Sequence, residues 1–190
     1  IMTKISVILP VFNCEKYIKK SVASVLNQTF ADFELIVVND GSTDNTQNII
    51  NSFSDSRIKI ITQENQGPGA ARNIAFEMAE GDYIMYLDCD DWLSPDALEI
   101  VYTEATKFNT DLTFFQMINY DGENYYENDW FELKTFDETF KNRVFTPDET
   151  PGSIFDLSVG VCQKIYRREF LKSINARFPE GIFFEDMPFF

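Results

Sequence analysis

The sequence predicts an α/β fold: a mostly parallel, Rossmann-like central sheet with helices on both faces. Three observations carry that expectation. Short apolar runs rich in β-branched residues alternate with segments of helical periodicity through the first half of the chain. Runs such as Ile5–Val11 and residues 35–38 are apolar on both faces, the mark of strands covered from two sides. Turn-forming residues at Asp40-Gly41-Ser42, Gly67-Pro68-Gly69 and Gly81 separate neighbouring elements.

Ile5–Val11 reads as the first strand. Ile18, Val22, Val25 and Leu26 follow at helical spacing, with Asn13 as a candidate cap. Residues 34–39 form the second strand and 43–53 a polar-faced helix, and 57–62 alternates like a strand near an edge. Pro68 suits the first turn of a helix, Ala71, Ile74, Ala75 and Met78 carry its apolar stripe, and Gly81 ends it. Residues 82–87 give the fourth strand, Ser94-Pro95 opens a helix running to Lys107, and 111–118 gives a fifth strand. Residues 119–151 turn acidic and aromatic, with Asp121-Gly122 as a turn, and read as an insertion too short to bury its own core. A strand-like run over 159–164 and a helical stretch over 168–174 follow. The 190 residues are expected to form one domain, cut from a longer chain because Phe190 falls inside an apolar run.

Composition narrows the chemistry. Lys and Arg total 16, Asp and Glu 31, and histidine is absent, for a net charge of −15. Ser-His-Asp and Cys-His arrangements and histidine-based zinc sites are therefore excluded. So acidic a chain is not expected to hold nucleic acid, whose phosphates are gripped mainly by Lys and Arg. No run approaches the roughly 18 apolar residues of a membrane span. Cys14, Cys89 and Cys162 are odd in number and lack C-x-x-C spacing, so they read as free thiols of a cytoplasmic protein, with no role for Cys89.

In open α/β sheets ligands bind beyond the carboxyl ends of the strands, so Asp40 and Asp88-Cys89-Asp90-Asp91 should face one crevice. Carboxylates two residues apart suit Mg²⁺ or Mn²⁺, which take one or two of them together with phosphate oxygens. Asp91 reads instead as a cap for the next helix. The segment 67–72 begins like a dinucleotide fingerprint, but Arg72 stands where the third glycine belongs and the segment follows the third strand. A guanidinium in the first turn of a helix still suits an anion. Glu185-Asp186 lies among aromatic residues, as acids in a cleft do.

Taken in order, Ser6–Asn13, Val38–Asp44, Glu64–Gly67 with Ala71-Arg72-Asn73, Leu87–Asp91 and Glu185-Asp186 closely resemble glycosyltransferase family 2, of GT-A fold, with residues 164–171 and 178–181 matching a later segment familiar in bacterial capsule and cell-wall enzymes. The resemblance implies a single catalytic domain with Pro10, Phe12 and Asp40 at the nucleotide base. It places Asn65, Arg72 and Lys164 near the nucleoside and phosphates, Asp88 at the ribose or sugar, and Asp90 on Mn²⁺ or Mg²⁺. Asp186 is the implied catalytic base, supported by Glu185. The implied reaction is inverting transfer from a UDP-linked sugar to a glycan or lipid-linked acceptor, in the cytoplasm or at the inner membrane face. The rival readings are a non-catalytic nucleotide-sugar or glycan-binding module and a sugar-phosphate nucleotidyltransferase. The latter resembles G-G-x-G-T-R near the first strand, where this chain has Pro10-Val11-Phe12-Asn13.

Overall fold

A computed structural model describes residues 3–126, 144–146, 149, 160–182 and 185–189. Six strands form one sheet: β1 (Ile5–Val11), β2 (Phe33–Asp40), β3 (Ile58–Gln63), β4 (Tyr83–Tyr86), β5 (Leu112–Phe114) and β8 (Lys164–Arg167), in the order β3-β2-β1-β4-β8-β5. β1 pairs in parallel with both β2 and β4, and β2 with β3, while β8 runs antiparallel to β4 and β5. A separate two-stranded hairpin joins β6 (Asn119–Tyr120) to β7 (Tyr125–Tyr126). Its turn is the expected one, with Asp121 Oδ1 accepting from the amides of Glu123 and Asn124 at 2.9 and 2.8 Å.

The expected α/β sheet is thus present, and its burial explains the apolar runs. Every residue of β1, β2 and β4 is buried. On one face, odd-numbered side chains of β1 and β2 pack on α1 (Ile18–Leu26), α2 (Thr46–Asn51) and α4 (Ala97–Phe108). On the other, Ile8, Ile36, Ile84 and Tyr86 pack on α3 (Pro68–Met78), α5 (Arg168–Ser173) and Phe178. β3 lies at the edge, which accounts for its alternating pattern.

Several boundaries differ from expectation. α2 is shorter because residues 41–45 are held as a loop against the β1–α1 connection. Asn13 does not cap α1, whose N-cap is Tyr17. With φ at 50°, Asn13 instead accepts from the Thr43 amide at 2.7 Å through Oδ1, and its own amide donates to Ser42 Oγ at 2.9 Å. The fifth strand stops at Phe114. The run expected as a strand over 159–164 is a 3₁₀ turn at Val161–Gln163, and the strand begins only at Lys164. Most of the expected 119–151 insertion lies outside the described residues.

Glu34 is a buried carboxylate in β2, and it is fully engaged. It accepts from Ser6 Oγ at 2.6 Å and from the Glu80 amide at 2.7 Å, and pairs with Lys59 at 2.8 Å. Burial pushes its pKa up, but those donors outweigh burial and hold it below the usual range. Gly81 sits at the same junction, where an added Cβ would lie 2.5 Å from the Ser6 amide nitrogen and 2.7 Å from its Oγ. Gly81→Ala is therefore expected to destabilise the fold by about 1–3 kcal/mol, read as a lower denaturant midpoint with an unchanged slope.

Candidate functional site

Parallel pairing brings the carboxyl ends of β1, β2 and β4 to one edge, with Pro10 opposite Val38, Val11 opposite Asn39, and Ile8 opposite Tyr86. Beyond that edge lies a cleft of about 340 Å³. β1 and its exit contribute Pro10 and Phe12, and β2 ends in Asp40. α3 supplies Pro68 and Arg72, and the loop after β4 supplies Asp88, Cys89 and Asp90. Glu185 closes the cleft from the C-terminal segment. The Phe12 ring is 47% exposed and so free to pack on a flat ligand.

Asp40 is 2% exposed. Its carboxylate accepts from Gln63 Nε2 at 2.6 Å and from the amides of Gln66 and Gly67 at 2.9 and 2.8 Å. A carboxylate has about four acceptor positions, so Asp40 holds the β3–α3 turn with one position to spare. Asn65 packs on Gly41 in that turn, is exposed, and does not line the cleft.

Arg72 is 5% exposed and already bound to protein carboxylates. Its Nη2 donates to Asp88 at 2.8 Å and its Nη1 to Glu185, and the guanidinium lies 5.2 Å from the Phe178 ring centroid. Burial pulls its pKa down, but the facing carboxylates outweigh burial and raise it, so the group stays charged. Its Nε, also buried, has no acceptor among the described residues. Asn73, one residue on, exchanges two hydrogen bonds of 2.9 Å with the backbone of Phe178, fixing that ring.

Lys164 does not reach the cleft. It is buried at the start of β8, donates to the Gly160 carbonyl, and lies 5.2 Å from the Phe114 ring centroid. Burial pulls its pKa down to about 8, against the field of Asp186. Asp186 opens α6 (Asp186–Phe189), is half-buried, and stands beside the cleft-lining Glu185 without lining the cleft itself.

The acidic loop after β4 holds one residue the sequence reading underrated. Asp91 is not a helix cap, since Asp96 occupies that position for α4. Its amide donates to the Asp88 carbonyl at 3.1 Å, and burial together with the charges of Asp88 and Asp90 pushes its carboxyl up to about 6. Asp90 is exposed, and no hydrogen bond or ion pair engages its carboxylate among the described residues. No cluster of three or more His, Cys, Asp or Glu able to hold a metal is present among the described residues. One or two carboxylates supplemented by ligand phosphates is nevertheless a donor set that suits Mg²⁺ or Mn²⁺, and Asp90 with Asp88 fits it.

The cysteines depart from expectation. Cys14 and Cys89 form a disulfide with their Cα atoms 6.4 Å apart, leaving Cys162 as the free thiol. Each partner follows the end of one of two adjacent parallel strands, a proximity that a sequence separation of 75 conceals. Cys89 therefore pins the acidic loop to the β1–α1 connection. No helix among the described residues is long and apolar enough to cross a membrane.

The model of the family described as "Glycosyl transferase family 2" matches residues 6–174, and the chain belongs to that family. Over 153 residues it is 34% identical to glycosyltransferase GlyA of Streptococcus pneumoniae, covering 74% of this chain and 22% of the relative. Over 108 residues it is 44% identical to a chondroitin synthase of Pasteurella multocida, covering 56% of this chain and 11% of the synthase. The chain thus spans well under half the length of these relatives. Among solved structures, S. aureus TarS in complex with UDP-GlcNAc superposes with a TM-score of 0.79 at 29% identity, over 98% of this chain and 52% of that one.

Two outcomes are expected. Thiol titration of the denatured protein, first equilibrated in an oxidising buffer, should count one thiol per chain, rising to three after reduction; three after oxidation would contradict the Cys14–Cys89 bond. Burial and the neighbouring charges raise the Asp91 pKa from the ordinary carboxylate value of 3.8 to about 6, so the folded state binds the extra proton in that window and loses stability as pH rises through it. Asp91→Asn removes that loss. Allowing for partial exposure, the variant should be about 1–2 kcal/mol more stable than wild type at pH 7 and indistinguishable below pH ~4, measured by urea unfolding across pH.

Proposed function

We propose that the chain is one catalytic domain of a larger protein. In this reading it transfers a sugar, with inversion, from a UDP-linked donor to an acceptor hydroxyl in polysaccharide or glycoconjugate synthesis. The observation that carries the reading is the cleft itself. It stands at the strand ends, where α/β folds bind ligands, and sets four carboxylates against one guanidinium that two of them already neutralise. A diphosphate cannot enter such a wall without a cation, so the donor is expected to bind together with Mn²⁺ or Mg²⁺. The metal, held by Asp90 with Asp88 at hand, would supply charge neutralisation for the departing nucleoside diphosphate.

The protein's own groups then have separable tasks. Phe12 and Pro10 offer packing surface to the base, and Asp40, through its spare acceptor position, a hydrogen bond. Arg72 holds Asp88 and Glu185 in place rather than meeting the phosphates alone. Asp186 takes the acceptor proton as the hydroxyl oxygen bonds to the anomeric carbon. The bond from that carbon to the diphosphate breaks on the opposite face, and its electron pair leaves with the phosphate oxygen. A cytoplasmic setting at the inner membrane face belongs to the same proposal, and there Cys14 and Cys89 would stand as two thiols.

The reading as a non-catalytic binding module draws on one observation, that Asp186 does not line the cleft. A thermal-shift panel of nucleotides and nucleotide sugars, with and without Mn²⁺, separates the possibilities. UDP-sugar with Mn²⁺ should raise the melting temperature by mass action, and Asp90→Ala should remove the metal-dependent part. Asp186→Asn should keep that shift while lowering sugar transfer or donor hydrolysis by about 10²–10⁴-fold. A flat panel refutes the donor site, and donor binding with undiminished turnover in Asp186→Asn refutes the base.

A further inference from the structure

Cys89 stands between Asp88 and Asp90 and lines the cleft with them. Its disulfide partner Cys14 lies just beyond Phe12, which lines the same cleft. The two ends of this bond are held very differently. On the Cys14 side the chain is tied firmly to the loop after β2. The Cys14 amide donates to Thr46 Oγ1 at 2.8 Å, and the Glu15 amide to Asp44 Oδ2 at 3.1 Å. The Glu15 carboxylate accepts from the Asn45 amide at 2.9 Å, and Asn13 adds its bonds to Ser42 and Thr43.

The acidic loop has anchors only at its ends. Arg72 holds Asp88 at 2.8 Å, and the Leu93 amide donates to Ser24 Oγ at 3.1 Å. Between them the Asp91 amide reaches no further than the Asp88 carbonyl, inside the loop itself. Asp90 is exposed, with its carboxylate unengaged among the described residues. Among those residues the disulfide is thus the one bond that ties positions 89–91 to another element. It joins the stretch carrying Asp90 to a fixed wall of the cleft.

We infer that Cys14 and Cys89 form a redox switch on this loop, and that closing it tightens the hold of Asp88 and Asp90 on a divalent cation and, through it, on a nucleoside diphosphate. A loop that must be ordered on binding lowers affinity, and a loop pinned beforehand does not. The inference rests on the donor and its cation occupying the cleft at the strand ends. The closing oxidant is a small disulfide, R–S–S–R. Cys14 is 5% exposed whereas Cys89 is half-buried and lines the cleft, so the small disulfide meets Cys89. The Cys89 sulfur bonds to one sulfur of the oxidant, and the other leaves as a thiolate that takes the Cys89 proton. The Cys14 sulfur then bonds to that of Cys89 and expels the second thiolate, which takes the Cys14 proton. Two protein thiols are oxidised and one small disulfide is reduced to two thiols. Under reducing conditions the dithiol is the resting form, and oxidation closes the switch.

The test titrates Mn²⁺ alone, and UDP in the presence of Mn²⁺, into the protein oxidised with glutathione disulfide and into the same protein reduced with a phosphine. The oxidised form should bind at least about threefold tighter in both titrations. Re-oxidation should restore the tighter binding, with the far-ultraviolet circular dichroism unchanged throughout. Cys14→Ser should bind as the reduced protein does, whatever the buffer, while Cys162→Ser keeps the full response. By linkage, Mn²⁺ and UDP added to a glutathione buffer poised at half oxidation should raise the ratio of disulfide to dithiol by the same factor. A bond that only stabilises the fold would leave that ratio unmoved. Equal affinities of the two forms, tighter binding by the reduced form, a response that survives Cys14→Ser, or loss of the fold on reduction would each overturn the inference. Redox-dependent Mn²⁺ binding without UDP binding refutes the donor reading and leaves the switch standing. Binding of Mn²⁺ and UDP that ignores the redox state does the reverse, and binding of neither refutes both.

Discussion

The architecture of the cleft depends on one buried cation. Arg72 is nearly inaccessible to water, and a guanidinium in that position is tolerated only when carboxylates and hydrogen bonds compensate its lost hydration. Those carboxylates come from far along the chain: Asp88 is 16 residues away and Glu185 is 113. The pairing therefore joins α3, the loop after β4 and the C-terminal segment into one wall. Removing Arg72 would leave the buried Glu185 and the half-exposed Asp88 without their shared cation. Removing either acid would leave the cation undercompensated.

Close approach of backbone makes that pairing geometrically possible. Gly69, in the first turn of α3, sits so near the C-terminal segment that a Cβ would meet the Pro179 carbonyl oxygen at 2.7 Å and Glu185 Cγ at 3.2 Å. Its partner in the motif, Gly67, has φ at 89°, which lets the chain enter the helix while its amide reaches Asp40. The glycines that imitate a phosphate-binding fingerprint thus serve a different end. One turns the chain onto a carboxylate, and the other admits the segment that carries Glu185.

Much of this was legible in the sequence, for physical reasons. A buried parallel strand must be apolar on both faces, so β1, β2 and β4 announced themselves, and parallel strands put their carboxyl ends together, so Asp40 and Asp88 could be placed in one crevice. What escaped depends on contacts between distant residues. Nothing local distinguishes an arginine aimed at a ligand from one saturated by Asp88 and Glu185. Lys164 lies in a matched family segment, yet its strand carries it into the interior beside Phe114. Asn13 has the composition of a cap but lies too far ahead of α1 and spends its amide oxygen on Thr43. Cys14 and Cys89 become neighbours only because β1 and β4 are adjacent in the sheet.

The net charge of −15 conceals an uneven distribution. The cleft presents Asp88 and Asp90, with Asp91 behind them already pushed toward protonation by burial and by their fields. An anion brought near that loop meets repulsion that extends over a Debye length of about 8 Å. Lys19 and Lys20 stand in the first turn of α1, and Lys20 lies over the Trp92 ring just beyond the loop. The two signs are thus separated across a few residues, because the acids cluster at the strand ends and the lysines on the helix that follows β1.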